Sequence, residues 1–350
     1  MKVTIKDVAR KAGVNPSTVS RVLSGSPRIS EDTRRRVLTI LREMDYQPNQ
    51  VARSLANRQG RIVSVVLPFV AEKTLSDLFN YSVIIGITTV AQQNGYHVLF
   101  STGIEESDAG IENLNQLIRG GYVGGVVLLT SRIRDSLAEL LYEQGFPFVV
   151  LGHPARDNEV NWVDNDNCLA CRTATEYLLE RGHRHIAFLG YAPDFRATTD
   201  RMRGYREALA SAGAPFYEQA VLRVPYSDTT FDLSAFDQVF QRETPRPTAL
   251  IAMNDALAIS AIERLRVLGL SVPDDISVIS FNNTVIGAVH NPPLTTIDLE
   301  PLSLGRRILE LLVQAIHHPE LGTNRAIVPF HLIERGSVRE VGGRPPEASF

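Results

Sequence analysis

Residues 3–23 carry the pattern that most narrows the possible folds. Thr4 stands three residues before Asp7 at the head of an apolar-spaced run (Ile5, Val8, Ala9), so each of the two side chains can satisfy an orphan backbone donor of the other. A helix is therefore predicted over about Ile5–Ala12. Gly13 supplies a left-handed residue to end it, and Asn15-Pro16 opens the next helix with a capping side chain and a proline at its first position. That helix is predicted over about Pro16–Leu23, with Val19, Val22 and Leu23 inward. A third, capped by Ser30, spaces Val37, Ile40, Leu41 and Met44 to close a small core with Ile5, Val8 and Val14. Two short helices joined by so tight a turn read as a helix-turn-helix, or as an ordinary helical hairpin. In the first reading Asn15, Ser17, Thr18 and Arg21 are exposed for base edges and phosphates.

Charge separates the chain in the same place. Residues 1–60 hold twelve Lys and Arg against five Asp and Glu, a net +7, which leaves -10 on the rest of a chain whose total is -3. A basic head of this kind supplies sequence-independent, salt-sensitive affinity for phosphates, and a few side chains then discriminate bases.

After Tyr46-Gln47-Pro48-Asn49 comes QVARSLAN, residues 50–57, good helix formers for only about two turns. A helix shorter than ~12 residues is marginal alone, so this one is expected to form only when something stabilises it. Here the stretches TIKDVARKAGVNPSTVSRVLSG, ISEDTRRRV and DYQPNQVARSLA resemble the head and hinge of the LacI family of transcription regulators. The resemblance implies a recognition helix in the major groove and paired hinge helices in the minor groove, with Leu55 as a wedge between base pairs. Leu55 also fits a packing residue of a linker helix. The residues expected at the DNA are Thr4, Asn15, Ser17, Thr18, Arg21 and Ser30 in the head and Asn49, Ala52 and Leu55 in the hinge.

At 350 residues, 44% of them hydrophobic, the chain should form two or three globular domains. No stretch looks like a signal peptide or a membrane span, which predicts a cytoplasmic protein with no membrane partner. Cys168 and Cys171 form the only C-x-x-C, within a predicted helix and without a second pair, so they are read as packing residues with no metal site. His183 and His185 are read as surface or supporting groups.

From Arg61 onward strands alternate with helices, which predicts parallel sheets covered on both faces. The expected strands are 61–68, 96–101, 123–129 and 148–151, then 186–189, 220–224, 249–253 and 276–281, with a crossover at PPLTTIDLEP and a return strand over 326–333. Two such βα series resemble the periplasmic sugar-binding fold used as effector domain in the LacI family. The resemblance covers nearly the whole chain, with VDNDN, GHRHIAFLG, RMRGY, MNDALA and PPLTTID at the family's motif positions. The fold class expected is an α-helical helix-turn-helix head with hinge helix, followed by an α/β two-lobed periplasmic-binding-protein-like effector domain. Its divisions would be 1–47 head, 48–60 hinge and linker, 61–338 effector-binding and dimerisation body, and 339–350 loose tail.

Ligands of open α/β sheets bind beyond the carboxyl ends of strands, where sugars need planar donors and acceptors and an aromatic face. By the resemblance Arg201 is the effector-binding arginine, with Asn254, Asp255 and Asn282 in the cleft, and Phe69, Trp162 and Tyr226 can stack on a ring. Arg201 also fits a solvated charge at a helix start, and Trp162 a core residue. Asn282, in FNN, and HNPPLTTID look most like maltose-operon repressors, so the effector expected is maltose or a malto-oligosaccharide. A neutral amide there can pair with hydroxyls but cannot anchor an amine by charge. No nucleophile elbow, phosphate loop or HExxH occurs in a fitting context, so neither an enzyme nor a cofactor is expected. The expected partners are double-stranded operator DNA, a small-molecule effector and a second copy of the chain. Another sugar, a nucleobase or a protein corepressor stays open as controller, and a stand-alone sugar-binding protein is the remaining alternative.

Overall fold

The computed structural model describes residues 3–23, 26, 28–46, 61–67, 77–102, 108–129, 132–133, 135–156, 158–191, 193, 195–224, 234–241 and 246–341. The chain divides into two compact units, Met1–Gly60 and Arg61–Phe350. In the first, α1 (Ile5–Ala12), α2 (Pro16–Leu23) and α3 (Glu31–Glu43) occupy the spans their caps dictate. Thr4 N donates to Asp7 Oδ2 at 3.0 Å and Asp7 N to Thr4 Oγ1 at 3.4 Å, while Gly13 ends α1 at a φ of 66°. Val8, Ala9, Ala12, Val19, Val22, Val37 and Leu41 form the core; Leu23, expected inward, is only half-buried at its edge.

The second unit contains two six-stranded sheets. The first consists of β1 (Ile62–Val66), β2 (His97–Ser101), β3 (Gly125–Leu128), β4 (Phe148–Leu151), β5 (Asn161–Asp164) and β11 (Arg325–Ile327), all parallel in the order β11-β5-β4-β3-β1-β2. Its β-branched runs are buried on both faces. The helices α4 (Leu78–Gln93) and Pro301–His317 cover one face, α5 (Asp108–Arg119) and α6 (Ser136–Glu143) the other. The second sheet, in the order β12-β10-β9-β8-β6-β7, consists of β6 (Ile186–Tyr191), β7 (Val221–Val224), β8 (Ala249–Ala252), β9 (Ser277–Phe281), β10 (Thr295–Asp298) and β12 (His331–Ile333). Only β12 runs antiparallel, against β10. Its helices are α7 (Asn167–Glu180), α8 (Arg196–Ser211), α9 (Ser234–Phe240), α10 (Asp255–Val267) and α11 (Val285–Val289); Pro301–His317 is α12.

Four expectations need correction. Asn161–Asp164 and Thr295–Asp298 are strands and not connections; each is only four residues long and its polar end masked the pattern. The single return strand is two: Pro329, without an N–H to give a ladder, separates β11 in the first sheet from β12 in the second. The chain therefore crosses between lobes three times, after β5, β10 and β11. Of the two readings of His183, surface or supporting, the structure shows the second: it is buried and contacts Thr248 Oγ1 at 2.9 Å and the Arg339 carbonyl at 3.1 Å. Residues 339–341, expected to be loose, are held by that bond, by Arg339 N to Ser277 Oγ (3.1 Å) and by Val341 N to the Arg181 carbonyl (2.9 Å).

Two helix crossings depend on missing side chains. A Cβ on Gly204 in α8 would overlap the Cys168 carbonyl of α7, and one on Gly305 in α12 the Val83 carbonyl of α4. Cys168 and Cys171 are free; Cys171 is buried in the core and Arg203 Nε lies 3.3 Å from Cys168 Sγ. Among the described residues no helix is long and apolar enough to cross a membrane.

Candidate functional site

In the head, burial of Val19 and Val22 turns the opposite side of α2 outward, so Asn15, Ser17 and Arg21 are exposed and Thr18 is half-buried. Ser17 and Arg21 lie one turn apart on that face. Thr4 and Ser30 are exposed too, but their hydroxyls are engaged locally, Thr4 with Asp7 and Ser30 with Thr33 at 2.9 Å. Hydrogen bonding from Thr4 holds the Asp7 carboxyl below its ordinary range. Asn49, Ala52 and Leu55 lie outside the described residues, as do Phe69 and Tyr226.

In the second unit a cavity of about 150 Å³ lies at the carboxyl ends of strands from both sheets. Leu129 follows β3, Leu151 and Asp164 end β4 and β5, Tyr191 ends β6, and Met253-Asn254 and Asn282 follow β8 and β9. The start of α4 adds Asp77 and Phe79, and α8 adds Thr198 and Arg201. This is the strand-end crevice where ligands of open α/β sheets bind.

Arg201 sits in the second turn of α8, because the helix begins at Arg196, well before the expected Met202; it is no solvated start charge. Its buried guanidinium donates from Nε to Asn167 Oδ1 and from Nη1 to the Met253 carbonyl, both at 2.8 Å, and lies 4.2 Å from the Phe281 ring centre. Burial pushes its pKa down to about 10, so it remains a cation at neutral pH. Asn167 joins this cation to Asp164, whose Oδ1 accepts from Asn167 Nδ2 at 2.9 Å and from Asn165 N at 2.8 Å. Burial pushes the Asp164 carboxyl up to about 7 in spite of Arg201.

Asn254 caps α10, its Oδ1 accepting from Leu257 N at 2.8 Å, and turns its Nδ2 to the Tyr191 hydroxyl at 2.9 Å. Burial pushes that phenol up to about 12. Asn282 and Asn283 adopt φ values of 98° and 48°, a region asparagine tolerates better than most side chains, which sharpens the turn after β9 at the cavity. Asp77 caps α4, accepting from Phe79 N at 3.0 Å and Asn80 Nδ2 at 3.3 Å, and burial raises its pKa.

Of the residues expected at the effector, the structure brings Arg201, Asn254 and Asn282 together and leaves two out. Trp162 is 7% exposed inside β5, two residues short of the strand end, packed with Val66, Val126 and Val150 and 5.0 Å from the His153 ring. Asp255 is 1% exposed and its carboxylate is consumed by the protein: Oδ1 accepts from Ser280 Oγ and Thr296 Oγ1, and Oδ2 from Thr284 N and Oγ1. Conversely Asp77, Asp164, Asn167 and Tyr191 were not anticipated. The polar run VDNDN after a buried strand pointed to two of them; nothing local singled out Asp77 or Tyr191. Among the described residues no group of three or more His, Cys, Asp or Glu could hold a metal.

Residues 4–49 match the model for bacterial regulatory proteins of the lacI family, and residues 175–338 that for a periplasmic binding protein-like domain. Over 338 residues the chain is 33% identical to the HTH-type transcriptional regulator CelR of Thermobifida fusca, covering 95% of this chain and 98% of that protein. The chain belongs to the lacI family. Another lacI-family relative, the HTH-type transcriptional regulator MalR of Streptococcus pneumoniae serotype 4, is 33% identical over 91% of this chain and 94% of its own. A solved CelR–cellobiose complex matches with a TM-score of 0.74 at 31% identity, covering 96% and 99% of the two chains. The lac repressor dimer bound to operator and the anti-inducer ONPF matches with a TM-score of 0.79 at 26% identity, covering 97% and 100%. This lacI-family protein is a DNA-binding transcriptional regulator and not an enzyme.

Proposed function

We propose that the protein is a cytoplasmic repressor whose affinity for a near-palindromic operator is set by a small sugar, maltose or a malto-oligosaccharide, held in the strand-end cavity. The observation that carries this is the convergence of Asp164, Arg201, Asn254 and Asn282 with the rings of Phe79 and Tyr191. Carboxylate, guanidinium and amide groups serve hydroxyl pairs, and the rings cover the apolar side of a sugar. Residues 1–47 act as head, 48–60 as hinge and linker, and 61–338 as effector-binding and dimerisation body. Asn15, Ser17, Thr18 and Arg21 meet DNA in the major groove, with Leu55 wedging the operator centre beside Asn49 and Ala52.

The operator geometry calls for two heads, and the edge strand β2, with Leu99 and Phe100 exposed, offers an apolar edge to a second copy. The sugar acts only through its different affinity for the DNA-bound and released states. Cellobiose is the second reading, favoured by the likeness to CelR. Fluorescence anisotropy of the full-length protein on operator DNA from its own upstream region, at fixed salt, tests both. A fall in affinity with one sugar and not the other assigns the effector; tight binding indifferent to both overturns the disaccharide reading.

A further inference from the structure

The cavity is unevenly charged. Among the described residues its lining holds two carboxyls, Asp77 and Asp164, and one cation, Arg201. Arg201 donates from Nε to Asn167 and from Nη1 to the Met253 carbonyl, faces Phe281, and offsets Asp164 through their shared partner Asn167. Among the described residues Asp77 has no such counterpart. It comes from the first lobe and, among the described residues, accepts only from the neutral Phe79 N–H and Asn80 amide; burial, with the nearby Asp255 carboxyl, raises its pKa. It lines the cavity together with Tyr191 and Asn254, which are paired on the second lobe.

A hydroxyl donated to Asp77 gains a charge-assisted bond. A phosphate or carboxylate in the same space meets two carboxyls, while Arg201, the one cation among the described lining residues, already offsets Asp164. We propose that the cavity selects its sugar by charge, admitting neutral sugars and excluding phosphorylated or acidic ones, with Asp77 as the specificity-determining residue. This rests on the sugar reading above. Its consequence is that the effector reaches the protein as free sugar, so the step that supplies it is an uptake or hydrolysis that adds no phosphate.

Titration calorimetry of the full-length protein at pH 8 tests this with two matched pairs: maltose and maltose 6′-phosphate, cellobiose and cellobiose 6′-phosphate. The neutral member of a pair is expected to bind at least roughly 100-fold more tightly than its phosphorylated partner. Asp77→Asn keeps an N-cap, since asparagine caps as well as aspartate, and should narrow that ratio roughly 10-fold. A phosphorylated sugar bound as tightly as its neutral partner overturns the proposal on the wild-type protein alone, whether or not the variant folds. A folded Asp77→Asn protein with an unchanged ratio removes Asp77 from the role. If neither member of either pair binds, the disaccharide reading falls and takes this inference with it.

Discussion

Asp255→Ala separates a residue that holds the second lobe together from one that touches effector. The carboxylate accepts four hydrogen bonds, from Ser280 Oγ, Thr296 Oγ1 (3.2 Å), Thr284 N (2.6 Å) and Thr284 Oγ1 (2.7 Å), at a site 1% exposed. Bonds to a charged acceptor contribute about 1.5–3 kcal/mol each, a gross of roughly 6–12 kcal/mol. Burying the carboxylate costs several kcal/mol in return, and removing one member of a buried charged network typically loses about 3–5 kcal/mol. Four donors from the turn after β9 and from β9 and β10 would then lack an acceptor. For a body of this size each kcal/mol moves the midpoint by about 2–4 °C, so the variant should unfold roughly 6–20 °C below wild type. Differential scanning calorimetry of the full chain reads this. A midpoint within about 2 °C of wild type, with effector response abolished, would refute the reasoning and return Asp255 to the ligand.

Asp164 is held at about 7 when folded, against about 3.9 when unfolded; the native state keeps a proton the unfolded chain has lost, so its contribution to stability declines as pH rises from about 4 to about 7 and is level above. Urea midpoints across that range should show the decline, and Asp164→Asn should flatten it. Gly204→Ala gains about 1 kcal/mol of helix propensity but drives a Cβ into the Cys168 carbonyl, so a net loss of about 1–3 kcal/mol is expected in urea unfolding; equal or higher stability would show that α7 and α8 can part at no cost. Arg21→Ala should weaken specific operator binding by roughly 1–3 kcal/mol in anisotropy titrations, and undiminished affinity would take Arg21 off the base edges.

The helical head was the most legible part of the chain, because its signals are local. A capping pair, a left-handed glycine and an Asn-Pro start each act within a few residues, and α1, α2 and α3 fall where they point. The buried runs of β1, β3, β4, β8 and β9 were legible for a similar reason, since four or five mostly apolar residues, broken at most by serine, between helices suit a doubly covered parallel strand. What local pattern did not reveal was pairing. β5 and β10 are strands because of their neighbours, and the return strand over 326–333 is β11 and β12 in different sheets; short polar-ended segments show that only after the sheets are assembled. The cavity divides in the same way. Asn254 and Asn282 stood at recognisable motif positions after strands and Arg201 in the motif RMRGY, whereas Asp77 reaches the cavity only because α4 begins there. Asp255, the neighbour of Asn254, points the other way into Ser280 and Thr284, a difference of one residue that spacing alone does not resolve.

The three crossings between lobes also set an order in time. The head is complete in a continuous stretch ending near residue 46, but the first sheet lacks β11 and its covering helix α12 until residues 301–327 have been made, after almost all of the second lobe. During synthesis on the ribosome the DNA-reading helices therefore emerge whole while both halves of the sensor are unfinished. A message truncated anywhere between these points would encode a head without a working sensor.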